Sequence, residues 1–279
     1  GDYIRAVTTQ TEKATRFLAL HQGAQPLLFP NPWDAGSARL LASLGFEALA
    51  TTSGGFAATL GRLDGQVTRD EALAHAASIV NATDVPVSAD LENCFADDPD
   101  GIATTIKLAI ETGLAGCSIE DFTRKIDDPI YELEYAAERV AAAADAAHGG
   151  PVHFVLTARA ENYLHGRRDL AETIERLQAY QAAGADVLYA PGVMDLGEIR
   201  ELVASVDRPV NVLALPGAPT VTELAAAGVK RISVGSAFAY VALGAAVDAA
   251  REFKEQGTYG FWHQAGVGAK AVRAAFTAA

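Results

Sequence analysis

The stretch PVSADLENCF, residues 86–95, ends an apolar run on two carboxylates, Asp90 and Glu92, and GCSIED, residues 116–121, ends another on Glu120. If the strand continues, side chains two residues apart leave on the same side. Two carboxylates cannot share a buried pocket cheaply: one takes a proton, a cation sits between them, or both face water. With Glu120 added the donors are all oxygen, which suits Mg2+ or Mn2+ far better than zinc. The competing reading, solvated acids or helix N-caps at strand-to-helix turns, predicts no metal dependence.

Other strand tips carry complementary chemistry. Arg159 follows FVLTA, and a guanidinium there needs an anion: Glu120 or Glu161 of the chain itself, or a ligand carboxylate held bidentately. Ser53, Gly54 and Gly55 offer backbone amides unobstructed by side chains, a second anion cradle or simply a turn. Asn211 ends a further tip, and Asp64 lies in the loop after the second strand. Lys125, in EDFTRKIDDP, sits on a polar segment able to fold over the site as a lid, or is a solvated surface lysine. Cys94 has no basic neighbour to activate it and Cys117 belongs to an apolar run, so both read as structural thiols without a disulfide or zinc pattern.

These residues need a scaffold that brings many strand ends to one place. Apolar runs at 26–30, 47–53, 85–90, 116–121, 153–160, 186–192, 209–215 and 231–235 alternate with Ala-rich helical stretches. Thr68 with Glu71, Asp169 with Glu172, and Thr220 with Glu223 have capping-box spacing at helix starts. Gly113, Gly184 and Gly228 stand where helices should stop in a left-handed residue. Eight such units with near-continuous apolar strands predict a (β/α)8 TIM barrel, whose carboxyl-end face carries the functional groups. A doubly wound open sheet is the alternative, but FPNPWDAGSA after the first strand lacks a dinucleotide or P-loop glycine pattern. Nothing in composition divides residues 1–279 into two domains, so one barrel with extra terminal helices is expected.

The net charge of -13 and the absence of basic runs argue against nucleic acid. No apolar run reaches the roughly 18 residues of a membrane span, and the start GDYIRAVTTQTEKATRF lacks the order of a secretory signal, so a cytoplasmic location is expected. An acidic protein would also repel a small anionic substrate unless its site supplies local cations.

The chain resembles the isocitrate lyase and phosphoenolpyruvate mutase superfamily through PNPWDAGSARLLASLGFEALATTSGGFA, VPVSADLENCFADDP, GCSIED, LTARAENY, YAPG and PVNVLALPG. The resemblance implies a (β/α)8 barrel, commonly with the last helix exchanged between subunits of a homotetramer. It implies Mg2+ held by Asp90, Glu92 and Glu120, and a small 2-oxo carboxylate bound by Ser53, Gly54, Gly55 and Arg159. Asp64 matches an aspartate near the reacting centre and Asn211 a supporting position. The lid departs from the family: FTRKIDDPIYELEY has no cysteine where isocitrate-type lyases carry one, and Lys125 is followed by Ile126, Asp127 and Asp128 where phosphonate-forming members have Asn-Ser.

The expected function is therefore a Mg2+-dependent lyase that cleaves a 2-oxo carboxylate, or its malate-type precursor, through a metal-stabilised enolate, with Lys125 or Asp64 moving protons. Oxaloacetate decarboxylation comes first. Carbon–phosphorus hydrolysis or rearrangement of a phosphonopyruvate-like compound comes second, a substituted-malate lyase third. A barrel that binds a 2-oxo acid without turning it over is the reading from a different class.

Overall fold

The computed structural model describes residues 8–277. The apolar runs form eight parallel strands: β1 (Leu27–Phe29), β2 (Leu49–Ala50), β3 (Val87–Asp90), β4 (Gly116–Glu120), β5 (Val155–Arg159), β6 (Val187–Tyr189), β7 (Val210–Leu213) and β8 (Arg231–Ser233). They pair in the order β1-β8-β7-β6-β5-β4-β3-β2. The Ala50 amide donates to the Pro30 carbonyl at 3.1 Å and links the two end strands, so the sheet curls into a nearly closed (β/α)8 barrel.

The helices are α1 (Gln10–Leu20), α2 (Ala35–Ser43), α3 (Ser53–Thr59), α4 (Arg69–Val80), α5 (Pro99–Glu111), α6 (Leu133–His148), α7 (Leu170–Ala182), α8 (Leu196–Ala204), α9 (Val221–Ala226), α10 (Ala237–Arg251) and α11 (Trp262–Thr277). Thr68 and Thr220 form reciprocal capping boxes with Glu71 and Glu223. At Asp169 half of the expected box forms: the side chain accepts from the Glu172 amide, while the Glu172 carboxylate turns to Arg176. Gly113, Gly184 and Gly228 have φ of 89°, 107° and 88°, the left-handed stop that their spacing predicts.

The core lies between the barrel wall and its helices, with Ile79, Ile102, Ile106, Leu156 and Leu177 fully buried. Helix α1 covers the amino end: Phe17 is buried and stacks on Phe29 with centroids 5.4 Å apart. At the other end of the chain α10 leaves its apolar side uncovered, with Val241 69% and Leu243 49% exposed, and Trp262 at the start of α11 is 68% exposed. Helix α11 returns toward α2, where the Arg39 guanidinium lies 5.2 Å from the Phe276 ring centroid.

Candidate active site

The carboxyl ends of β3, β4 and β5 bring three of the expected residues to one guanidinium. Arg159 contacts Asp90 Oδ1 at 3.2 Å, Glu120 Oε2 at 3.3 Å and Glu161 Oε1 at 2.8 Å. Both self-pairing options for Arg159 are thus realised at once, with Asp90 added. A guanidinium has five N–H donors, so two remain for a ligand.

Glu92 reaches the same mouth by a different route from simple strand alternation. Strand β3 stops at Asp90, and Glu92, Cys94 and Phe95 adopt φ of 51°, 61° and 55°. Non-glycine residues pay for the left-handed region sterically and hold it only where surroundings over-determine it. Here Arg139, 1% exposed, donates to the carbonyls of Asn93, Ala96, Asp97 and Glu120, pinning the loop from below. The Asp90 carboxylate accepts from the Glu92 amide at 3.2 Å and from the Ser53 amide at 3.2 Å.

Burial and neighbouring acids shape the charge of this cluster. Burial, then the Asp90 charge, pushes the Glu92 carboxyl up to about 7. Burial also raises Glu120 and Glu161 despite the Arg159 cation. Asp121, whose side chain accepts from the Glu161 amide at 2.8 Å, is held by Arg176 at 3.2 Å and by the Tyr180 hydroxyl, and so fixes the β5 tip. Glu92, Glu120 and Glu161 therefore resist ionising unless more positive charge arrives.

Below the mouth lies a cavity of about 200 Å³, walled by Ser53, Asp64, Asp90, Arg159, Tyr189 and Asn211 among others. That size suits a ligand of a few carbons rather than a nucleotide. Gly54 is tightly placed: a Cβ there would stand 2.7 Å from Ser236 Oγ and 3.4 Å from Asp64 Oδ2. Of the three turn amides, Ser53 donates to Asp90 and Gly55 donates to Thr52 Oγ1 at 3.3 Å. Asn211 is buried between Arg231 Nε, which donates to its Oδ1 at 2.9 Å, and Ser233 Oγ, which accepts from its Nδ2 at 3.0 Å.

The segment after β4 folds into a small hairpin, with Phe122 bridged to Ile130 and the Thr123 amide donating to the Pro129 carbonyl at 2.8 Å. Lys125 lies on its exposed side, and its backbone amide donates to Thr123 Oγ1 at 3.0 Å. The neighbouring Arg124, at φ 66°, turns inward instead, 3.5 Å from Glu92 Oε1 and hydrogen-bonded to the Gly65 carbonyl. Cys94 and Cys117 are buried free thiols, and burial pushes Cys94 up to about 12, far from a reactive thiolate.

This frame matches known proteins over most of its length. The model of the phosphoenolpyruvate phosphomutase family matches residues 17–254. The chain belongs to that family. A solved structure of a candidate lyase/mutase from Burkholderia cenocepacia J2315 is 54% identical, with a TM-score of 0.88 over 90% of this chain and 91% of the other. An uncharacterised Mycobacterium tuberculosis H37Rv protein is 36% identical over 238 residues, 84% of this chain and 87% of its own. The oxaloacetate decarboxylase of Chromohalobacter salexigens is 29% identical over 263 residues, 90% of this chain and 88% of its own. The protein is thus an enzyme of the phosphoenolpyruvate mutase and isocitrate lyase superfamily, whose members include lyases and mutases.

Within this family member the sequence reading missed three side chains. Tyr189, at the β6 tip, lies under Arg159 with the guanidinium 5.1 Å from its ring centroid. Arg231, on β8, is 3% exposed and bonds to Asn211, Thr157 and His21, all neutral acceptors, so burial depresses it to about 9. Arg124 was masked by its basic neighbour. Strand register held a usable signal, because Arg159, Tyr189, Asn211 and Arg231 are successive partners across β5, β6, β7 and β8.

Proposed function

We propose that this enzyme is a divalent-cation-dependent lyase that breaks the carbon–carbon bond beside the carbonyl of a small 2-oxo carboxylate, with oxaloacetate as substrate and CO2 as leaving group. The observation that carries the reading is the acidic excess at the mouth: among the described residues Asp90, Glu92, Glu120 and Glu161 face only the cations Arg159 and Arg124. The donor set of Asp90, Glu92 and Glu120 fits a hard ion such as Mg2+ or Mn2+, and the raised carboxyls of Glu92 and Glu120 fit a place where a cation substitutes for protons. When bound, such an ion supplies Lewis-acid stabilisation of charge developing on the 2-oxo oxygen.

The chain's own groups do the rest. The two spare N–H groups of Arg159 and the amide of Gly54 hold the substrate carboxylate, which answers the mismatch between an acidic protein and an anionic ligand. Asn211, its orientation fixed by Arg231 and Ser233, is a rigid wall on the far side of the cavity. Loss of CO2 leaves an enolate that needs one proton back, and Asp64 and the Tyr189 hydroxyl line the cavity from which it comes. Lys125 would have to swing in from the exposed side of the hairpin to serve. A leaving group that departs as CO2 asks nothing of the missing lid cysteine. The family relationship to an oxaloacetate decarboxylase supports the same substrate. Arg124 at the rim favours a second reading, cleavage or rearrangement of a phosphonopyruvate-like compound, whose extra negative charge it would meet.

The uncovered apolar side of α10 and α11 supports a homo-oligomer, with a second copy covering Val241, Leu243 and Trp262. The test of function is pyruvate release from oxaloacetate with Mg2+, comparing the intact protein and Asp90→Ala with a no-enzyme control, because free Mg2+ promotes some decay. A rate above the control that vanishes in the variant supports the reading. Rates equal to the control remove decarboxylation, and Mg2+-dependent thermal stabilisation by 2-oxo acids would then separate another substrate from a binding-only barrel.

A further inference from the structure

The amino end of the barrel, opposite the mouth, holds a second convergent cluster. His148 ends α6, His153 precedes β5, and Asp186 precedes β6. His148 Nε2 is 2.9 Å from Asp186 Oδ2 and His153 Nε2 is 2.8 Å from Oδ1, so both imidazoles aim the same ring nitrogen at one carboxylate. The rings stack with centroids 4.4 Å apart, and the three donor atoms lie within 4.8 Å of one another.

We propose that His148, His153 and Asp186 form a second metal site, selective for a divalent transition ion of the zinc class, that staples the end of α6 to the starts of β5 and β6. Two imidazoles and one carboxylate are the donor set that borderline ions favour and that Mg2+ does not. Zinc–nitrogen and zinc–oxygen bonds of about 2.0–2.2 Å need tetrahedral donors about 3.4 Å apart. The His–Asp contacts open to that spacing by a small rotation of the two partly exposed imidazoles. Asp186, in contrast, is fixed: Oδ2 accepts from the Leu156 amide at 2.8 Å and its own amide donates to the Leu156 carbonyl at 2.9 Å. A backbone bond to the ligating carboxylate is the outer-shell support that metal sites use to orient their ligands. Burial pushes the Asp186 carboxyl up, but the bonds from His148, Leu156 and His153 outweigh it and keep it ionised. His153 is 44% exposed, which leaves solvent access for a water as fourth ligand.

The site is independent of the reaction at the mouth and its test is separate. Full-length protein without a histidine tag, stripped with chelator, is titrated with Zn2+ by calorimetry in excess Mg2+, which occupies oxygen-only sites. The expected result is one Zn2+ per chain, with affinity weakened by more than about tenfold in each of His148→Gln and His153→Gln while both variants keep the parent's melting temperature in chelator. Cu2+ loaded in place of Zn2+ should show magnetic coupling to two nitrogens in the parent and one in either variant. No Zn2+ binding by the parent, or binding unchanged in both variants, overturns the proposal and leaves the cluster a hydrogen-bonded staple.

Discussion

Replacing Arg159 with Gln is the sharpest perturbation of the mouth. The guanidinium sits 2.8–3.3 Å from Glu161, Asp90 and Glu120, and its side chain is 14% exposed. Each contact is worth about 5 kcal/mol of gross Coulomb attraction at an effective dielectric of 20. Desolvation offsets most of that, and removing one partner from a buried ion pair typically costs about 3–5 kcal/mol because charge is left uncompensated. At about 4 kcal/mol, a chain of this size should melt about 10 °C lower. The loss should be largest in metal-free protein at pH 8, where the raised carboxyls of Glu120 and Glu161 are least able to stay protonated, and should shrink when Mg2+ is added, since an ion among the same carboxylates replaces part of the missing charge. With saturating Mg2+ the variant should still lose roughly 10²–10³-fold in kcat/KM for oxaloacetate, the cost of truncating a buried charged partner. Arg159→Lys should recover more stability than activity, because lysine restores charge without the planar fork. Calorimetric melting with and without Mg2+ reads both effects. A variant that melts with the parent at pH 8 would show that the acids are not ionised around Arg159. A large loss untouched by Mg2+ would show that they do not hold the ion.

Two further outcomes follow from the same geometry. Glu92 has a folded value of about 7 against 4.5 for an unperturbed carboxyl, so its stabilising contribution is full below about pH 4.5 and is lost as pH rises through 7. Mg2+ competes with that proton, so its apparent affinity should rise about tenfold from pH 6 to pH 8, and Glu92→Gln should flatten the profile; an equally steep profile in the variant would exclude Glu92 as the titrating group. On α10, Leu243→Glu with Val241→Glu should lower the assembly size measured by light scattering, whereas an unchanged mass would place the subunit interface elsewhere.

The barrel was legible because its strands are apolar runs that lead into polar residues, and because α5, α7 and α9 stop at Gly113, Gly184 and Gly228, which the structure finds at positive φ. The placement of Asp90, Glu120 and Arg159 at one face followed from the same alternation, since parallel strands deliver their carboxyl ends together. Glu92 was legible as a residue but not as a geometry. Extrapolating β3 by two residues puts it beside Asp90 on a straight strand, whereas the chain turns through three non-glycine left-handed residues that carry no sequence signature. What permits that turn is Arg139, placed on α6 and more than forty positions away from the carbonyls of Asn93 and Ala96 that it holds.

The same long-range dependence explains the hairpin. Arg124 and Lys125 are adjacent basic residues on a polar segment, and nothing local decides which one faces the mouth. The left-handed backbone at Arg124 decides it, because it sends that side chain toward Glu92 and Gly65 and leaves Lys125 outside. A fixed cation at the rim has a consequence for specificity. It partly neutralises Glu92, which Asp90 repels, and it lines the rim together with Asp64, Glu120 and Arg159. On the proposed function, substrates whose distal group is anionic would gain from Arg124 and those with an apolar distal group would not, which would put the discrimination between oxaloacetate-like and alkyl-substituted substrates in the hairpin rather than in the barrel.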